Sequence, residues 1–159
     1  MNNKKSLVEK HIPALRRYAV ALTYDTSKAD DLVQDCLERA LRKLHLWQAG
    51  SNLKAWLFTI MHNLFINTQI RLSRLPKMVS LDAVSDTLKI NGYVEQGTEI
   101  YELTVAVSKL PVDQKNVILL VGLEGFGYKE VSNILGIPLG TVMSRLHRAR
   151  EKLRSQLYC

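Results

Sequence analysis

The chain has 159 residues, of which 47% are hydrophobic and 23% are charged, and its formal net charge is +7 at pH 7. This length suits one ordinary domain or two small ones, and no apolar run is long enough to cross a bilayer, so we expect a globular protein without membrane insertion. The basic excess favours an anionic partner, because a protein that neutralises phosphates releases their counterions.

The first part of the chain contains two stretches in which apolar residues recur at helical spacing. Positions 7–22 predict one helix, or a short helix followed by a longer one, because Pro13 lies near the start. The stretch Asp25, Thr26 and Ser27 offers turn and N-cap chemistry for a second helix, which is predicted over 28–46. The polar side of this second helix is largely acidic and contains Asp31, Gln34, Asp35 and Glu38.

A third long helix is predicted over 53–72, after a short loop of small and polar residues at 47–52. This helix is apolar almost all round, but one stripe along it is polar. The stripe contains Trp56, Asn63, Asn67, Arg71 and Arg74. Exposed asparagines alone would indicate only solvent or internal hydrogen bonds. Because two arginines share their face, a nucleic-acid contact is favoured.

Helical periodicity weakens over 75–99, and we interpret this stretch as a flexible linker between domains. A helix is then predicted around 100–110, and Pro111 opens another that ends at 122–127. No strand pattern stands out. The sequence therefore predicts an all-α fold in which two small helical domains, residues 1–74 and 100–159, are joined by the linker.

The C-terminal stretch has the order helix, tight turn, basic helix. Residues 128–135 have helical apolar spacing, and the Gly-Ile-Pro sequence at 136–138 allows a sharp change of direction. The last helix has an apolar seam at Val142, Leu146, Ala149 and Leu153. Its opposite face is centred on Ser144, His147, Arg148 and Glu151. This order is typical of a helix-turn-helix that binds DNA; the alternative is an amphipathic helix whose charges are merely solvated.

Candidate catalytic or metal-binding clusters do not accompany these elements. The four histidines are His11, His45, His62 and His147, and none has a partner at motif spacing. Cys36 and Cys159 have no cysteine or histidine companion at ligand spacing. We therefore expect a protein that is not an enzyme, has no cofactor, metal or disulfide, and resides in a reducing cytoplasm.

Two separate stretches resemble one protein family. Residues 31–35 (Asp-Leu-Val-Gln-Asp) and 53–63 (Leu-Lys-Ala-Trp-Leu-Phe-Thr-Ile-Met-His-Asn) resemble region 2 of the group IV, or extracytoplasmic function (ECF), sigma factors of bacterial RNA polymerase. The stretches that resemble region 4 of the same family are 110–114, 123–126, 128–131 and 140–150. Together these resemblances cover nearly the whole chain apart from the linker.

For region 2, the resemblance implies two contacts. The acidic helix docks on the β′ clamp helices of core polymerase in this family, which implies that Asp31, Gln34, Asp35 and Glu38 bind polymerase. Region 2 of the family also captures an unstacked base of the −10 element. The residues implied at that site are Trp47, Trp56, Asn63, Asn67, Arg71 and Arg74. A flipped base needs aromatic or amide partners, and its backbone needs cations; core packing is the alternative role for both tryptophans.

For region 4, the resemblance implies binding of the −35 element as a duplex, together with a contact to the β flap of the polymerase. The residues implied in or beside the major groove are Ser144, Arg145, His147 and Arg148, and Thr141 would contact a phosphate. Arg148 is the strongest candidate for a base contact, because arginine can bind guanine bidentately with about 1–3 kcal/mol of discrimination. Met143 stands where the family commonly has Lys or Arg, and Gly127 replaces a frequent capping serine.

The implied function is a dissociable specificity subunit that directs core polymerase to promoters, assists melting and is controlled by an anti-sigma factor. One alternative is a sigma-like decoy that sequesters an anti-sigma factor. The basic residues Arg71, Arg74, Arg145 and Arg148 argue against it, because a decoy need not keep them. Another alternative, a conventional regulator with a helix-turn-helix output domain, would leave the resemblance to region 2 unexplained.

Overall fold

The computed structural model describes residues 2–74 and 98–157, so the predicted linker at 75–99 lies almost wholly outside the described residues, as does Cys159. The regular structure of the described ranges is helical and includes no strand, which confirms the predicted all-α fold class. The chain divides into two compact units, one N-terminal and one C-terminal. The domain boundaries at residues 74 and 100 stay predictions.

The N-terminal unit begins with α1 (Asn2–Glu9) and α2 (Ile12–Thr23). Pro13 lies in the first turn of α2, where its missing amide proton costs no helical hydrogen bond. The stretch therefore forms a short helix followed by a longer one. Tyr24 caps the C-terminal end of α2; it is a buried residue with a φ of 56°, and its amide donates to the carbonyl of Val20 at 2.8 Å.

α3 (Thr26–Arg42) follows, then a 3₁₀ turn (Leu44–Leu46) and α4 (Leu53–Ser73). The N-cap predicted within 25–27 is confirmed and is Asp25, whose carboxylate accepts hydrogen bonds from two amides of the first turn of α3. α3 ends at Arg42, earlier than the predicted residue 46, because the chain then tightens into the 3₁₀ turn. Asn52 caps α4 by accepting a hydrogen bond from the Ala55 amide at 3.1 Å.

The core of the N-terminal unit lies where α2, α3 and α4 pack together. The rings of Tyr18 and Phe58 pack with their centroids 5.2 Å apart. The thiol of Cys36 donates to the carbonyl of Leu57 at 3.5 Å and so joins α3 to α4. Burial raises the pKa of this thiol to about 12, which keeps it protonated. Each fully buried large side chain here contributes about 1.5–3 kcal/mol.

The C-terminal unit contains α5 (Glu99–Ser108) and α6 (Val112–Ile118), which continues into a π-helical turn (Leu119–Leu123). α7 (Tyr128–Leu135) and α8 (Leu139–Leu157) follow along the chain. α8 packs against both α5 and α6. The buried side chains at its centre are Val117, Leu120, Val131, Val142, Leu146 and Ala149.

Candidate nucleic-acid and protein interfaces

The turn between α7 and α8 is built by a left-handed glycine and a network of short hydrogen bonds. Gly136 has a φ of +67°, a conformation that favours glycine, while an added Cβ would meet no atom within 4 Å. The Ser132 hydroxyl donates to the carbonyl of Ile137. The Ile137 amide donates in turn to the backbone carbonyl of Ser132. The Pro138 carbonyl then accepts from the amide of Thr141 at 3.0 Å. These bonds fix the direction in which α8 leaves the turn.

α8 presents a buried seam and an exposed polar face, as the sequence predicts, but Leu153 at the end of the predicted seam is only half-buried. Val142, Leu146 and Ala149 are at most 2% exposed. The exposed residues opposite them are Ser144, His147, Arg148 and Glu151. Arg148 forms no ion pair with any acidic group in the described ranges, so its guanidinium is available to an external anion. The helix thus carries a cation on the face that is free to meet a partner.

Arg145 is less exposed than the predicted −35 contacts Ser144, His147 and Arg148. Its side chain is 29% exposed, and its Nε is 3.7 Å from Oδ2 of Asp113, near the start of α6. Thr141 is half-buried in the first turn of α8. Sequence reasoning missed Asp113, because no spacing rule relates residues so far apart in the chain. Arg145 therefore has an internal partner that also helps to hold α8 against α6.

The acidic face of α3 is fully exposed. Asp31, Gln34, Asp35 and Glu38 all lie on the solvent side, opposite the buried stripe of this helix. Glu38 pairs with Arg42 one turn later at 2.6 Å. In the part of the chain that the structure describes, Asp31 and Asp35 have no cationic partner. These two carboxylates give the face its uncompensated negative charge.

The polar stripe of α4 is also brought together as predicted. Asn63, Asn67, Arg71 and Arg74 are exposed at spacings of four, four and three residues, which places them in one line along the helix. Trp56 is half-buried at the N-terminal end of the same line. The stripe therefore combines one partly accessible aromatic ring, two amides and two cations.

Trp47 does not share this accessibility. It is only 7% exposed, and the Lys4 ammonium lies 5.9 Å from its ring centroid. The ring is thus covered by the N-terminal unit itself, which favours the alternative role of core packing and does not support base stacking. Its indole Nε1 has no hydrogen-bond partner among the described residues.

The loop between the 3₁₀ turn and α4 is exposed and ordered by its own hydrogen bonds. The hydroxyl and amide of Ser51 both donate to the carbonyl of Gln48, at 2.6 and 3.1 Å. Gly50 occupies the left-handed region with a φ of +95°. Leu46, at the start of this segment, is 65% exposed. Sequence reasoning missed Leu46, because its apolar character was assigned to the continuing helix.

His62 is a buried histidine of the N-terminal unit. Its side chain lies in the core beside the polar stripe of α4, and its Nδ1 has no hydrogen-bond partner in the described ranges. Burial lowers the pKa of His62 from 6.5 to about 4, so the imidazole is neutral at physiological pH. It contributes no charge to the neighbouring surface.

Residues 2–74 and 98–157 contain no cluster of three or more His, Cys, Asp or Glu side chains that could hold a metal ion. None of the helices in these ranges is long and apolar enough to span a membrane. The surfaces that stand out are therefore the charged faces of α3, α4 and α8.

Known families match both units. Residues 8–62 match the family described as "Sigma2 domain of PhyR", and residues 100–153 match "Sigma-70, region 4". Over 147 residues the chain is 42% identical to the ECF RNA polymerase sigma factor EcfG of Rhodopseudomonas palustris (strain TIE-1). This alignment covers 92% of the chain and 81% of the relative.

Two solved structures are also similar to the chain. The sigma factor RpoE of Bartonella quintana, in complex with the anti-sigma factor NepR, is similar with a TM-score of 0.81 and 32% identity, over 99% of this chain and 98% of that chain. The anti-anti-sigma factor PhyR of the same organism, complexed with NepR, has a TM-score of 0.62 and 19% identity, over 96% of this chain and 50% of that chain. At that identity the likeness to PhyR shows a shared fold alone.

Proposed function

The chain belongs to the ECF sigma factors of bacterial RNA polymerase, and from this premise we propose that it directs core polymerase to promoters through one DNA contact in each unit. The observation that carries the proposal is the exposed basic face of α8. It follows a tight turn and leaves Arg148 without an internal partner in the described ranges.

In the C-terminal unit, α8 would enter the major groove of the −35 element. Ser144, His147 and Arg148 are exposed on the groove side, and Arg148 can bind O6 and N7 of a guanine bidentately. The half-buried Thr141, in the first turn of α8, has a hydroxyl that suits a phosphate. Arg145, which is paired with Asp113, would orient α8 and contribute to the DNA contact only from the edge.

In the N-terminal unit, α4 and the exposed loop before it would hold the melted −10 strand. Arg71 and Arg74 supply cations for its backbone, while Asn63 and Asn67 supply amides that can bond base edges. The half-buried Trp56 offers a stacking surface. Trp47 would support this site from the core, because its ring is covered.

The acidic face of α3 would bind core polymerase. Asp31 and Asp35 are exposed and uncompensated, so a basic surface such as that expected on the β′ clamp helices fits their charge. The β flap would be a second polymerase contact. An anti-sigma factor would control the protein, as the complex of the similar RpoE supports, and the site of action would be the bacterial cytoplasm.

A transcription assay tests this function directly. Purified core polymerase is incubated with the chain and a library of promoter fragments, and transcript starts are mapped. We expect transcripts that require the chain and start downstream of a shared pair of elements. The variant Arg148→Glu serves as the matched control, because it keeps the α3 face but reverses the charge on α8. Absence of any chain-dependent transcript would contradict the proposal.

The decoy function has weaker support. The chain resembles a sigma factor at 32% identity over nearly its full length, whereas its likeness to an anti-anti-sigma factor concerns the fold alone. A decoy would also need no exposed arginine on α8. If the chain bound an anti-sigma factor but no promoter in the presence of core polymerase, the decoy function would replace the one proposed here.

A further inference from the structure

Two exposed apolar side chains lie side by side at the start of α8. Met143 is 51% exposed and Leu139, one turn earlier, is 46% exposed. Neither belongs to the buried seam of the helix. Single exposed hydrophobic residues are common on protein surfaces. These two, however, lie four residues apart and therefore adjoin, on a helix whose other exposed side chains are polar or charged.

The position of Met143 places it beside the groove-facing residues of the proposed −35 contact. It precedes Ser144 and lies one turn before His147, and both of those side chains are exposed. The cations of Arg148 and Arg150 lie further along the exposed part of the same helix. If Arg148 binds a guanine edge, as proposed above, and Arg150 lies near a phosphate, Met143 meets the edges of bases nearer the N-terminal end of α8.

Major-groove chemistry restricts what Met143 can contact there. Base edges present hydrogen-bond donors and acceptors, and thymine alone adds an apolar group, its C5-methyl. A thioether has no donor and is only a weak acceptor, but it is flexible and polarizable. We propose that Met143, flanked by Leu139, contacts the C5-methyl group of a thymine in the −35 duplex and makes that position specific for thymine. This inference rests on the proposed function of α8.

Gly140 is consistent with a close approach of DNA at this point. It lies in the first turn of α8, and a Cβ added there would meet no atom of the chain within 4 Å. Packing inside the protein therefore does not require glycine at this position. Its missing side chain leaves the surface between Leu139 and Ser144 open, so the backbone can lie near a base edge.

The test removes a single methyl group from the DNA. A promoter is first identified with the holoenzyme formed from core polymerase and the full chain. Each thymine of its −35 duplex, on either strand, is then replaced in turn by deoxyuridine, which keeps every hydrogen-bonding group and lacks only the C5-methyl. We expect one or two positions at which open-complex formation weakens about fourfold, the effect of losing one buried methyl group.

Protein variants assign that loss to Met143. With Met143→Ala, thymine and deoxyuridine should become equivalent at the sensitive position. With Met143→Leu, which keeps an apolar side chain, the preference for thymine should remain. Lys152→Ala is the matched control, because it removes an exposed cation of the same helix. It should weaken binding to both duplexes equally and leave their ratio unchanged.

Each outcome decides between distinct conclusions. A thymine preference that disappears only with Met143→Ala supports the proposal. A holoenzyme that transcribes normally but is insensitive to deoxyuridine overturns the methyl contact and leaves the promoter function intact, as does a preference that survives Met143→Ala. A chain that yields no core-dependent transcript from any promoter overturns both.

Discussion

α3 and α8 are built alike but carry opposite charge. Each is an amphipathic helix that buries a stripe of small and aliphatic side chains in its own unit. On the solvent side, α3 exposes Asp31 and Asp35, whereas α8 exposes Arg148 and Arg150. Because the fold requires only the buried stripe, the charge of the exposed face can have either sign. That sign underlies the proposed partners, which are a basic protein surface for α3 and a polyanion for α8.

Each helix carries some charged side chains that have internal partners and others that lack them. On α3, Asp30 pairs with Arg16 of α2 at 3.2 Å. On α8, Arg145 pairs with Asp113 of α6 at 3.7 Å. Such exposed pairs contribute only about 0–1 kcal/mol to stability. The unpaired Asp35 and Arg148 thus give the larger expected effects on binding, and the paired residues give the smaller ones.

The largest effect is expected from charge reversal on α3. Asp35→Arg places a cation where the proposed partner is basic, and like-charge repulsion in an interface costs several kcal/mol. We expect core polymerase to bind on the order of a hundredfold more weakly, measured by titration of labelled chain with core enzyme.

Asp30→Asn is the control for this variant on the same helix. It removes the pair with Arg16 and should lower the free energy of unfolding by at most about 1 kcal/mol, without a measurable change in core binding. If Asp35→Arg bound core polymerase as tightly as the unaltered chain, the acidic face would not be the docking surface.

On α8, Arg148→Ala should act on DNA and not on polymerase. Loss of a bidentate guanine contact costs about 1–3 kcal/mol, so transcription that depends on the −35 element should fall about tenfold or more. The α3 face is unchanged, and binding of core polymerase should stay the same. A variant that transcribes normally, or that loses core binding instead, would remove the functional contrast between the two helices.

The sequence was sufficient to predict α3 and α8, because a buried stripe and its exposed opposite face follow from local periodicity. The Asp25 cap, the early Pro13 and the turn at Gly136 are equally local, and all three occur where the sequence predicts them or allows them. The end of α3 was predicted too late, because Leu44 and Leu46 continue an apolar pattern after the helix has tightened into a 3₁₀ turn.

Contacts between distant residues could not be predicted in this way. The burial of Trp47 beneath Lys4 depends on how α1 folds back, and an aromatic residue in a polar loop gives no sign of it. The partnership of Arg145 with Asp113 likewise depends on the packing of α8 against α6. The position of a residue along a helix thus follows from local periodicity, whereas its accessibility had to come from tertiary structure; the roles of the −10 and −35 residues stay predictions.

Acid should weaken the unit that carries α3. His62 lies in the α4 core against which α3 packs, and burial lowers its pKa from 6.5 to about 4. Below pH 6.5 the unfolded chain binds a proton that the folded chain excludes until about pH 4, so stability falls as the pH falls through this window. Between pH 8 and pH 5 the loss attributable to His62 should be about 2 kcal/mol, measured by denaturant unfolding.

The nontitrating variant His62→Gln should remove this part of the pH dependence. Lys115→Met is the matched variant in the C-terminal unit. Burial lowers the pKa of Lys115 from 10.5 to about 8, so its contribution raises stability with pH only between about pH 8 and 10.5. A slope between pH 8 and 5 that is unchanged by His62→Gln would show that other groups are responsible for the acid sensitivity.

The smallest effect should come from the pair that joins α6 to α8. Asp113→Asn removes a partly exposed interaction of 3.7 Å, so the free energy of unfolding should fall by less than about 1 kcal/mol in thermal unfolding. Arg145→Ala should cost the same if Arg145 acts only on Asp113, and the double variant should then lose no more than either single one. If Arg145 also touches DNA, Arg145→Ala should reduce −35-dependent transcription beyond Asp113→Asn at equal stability. In that case Arg145 belongs with Arg148 among the charges of α8 that meet a partner.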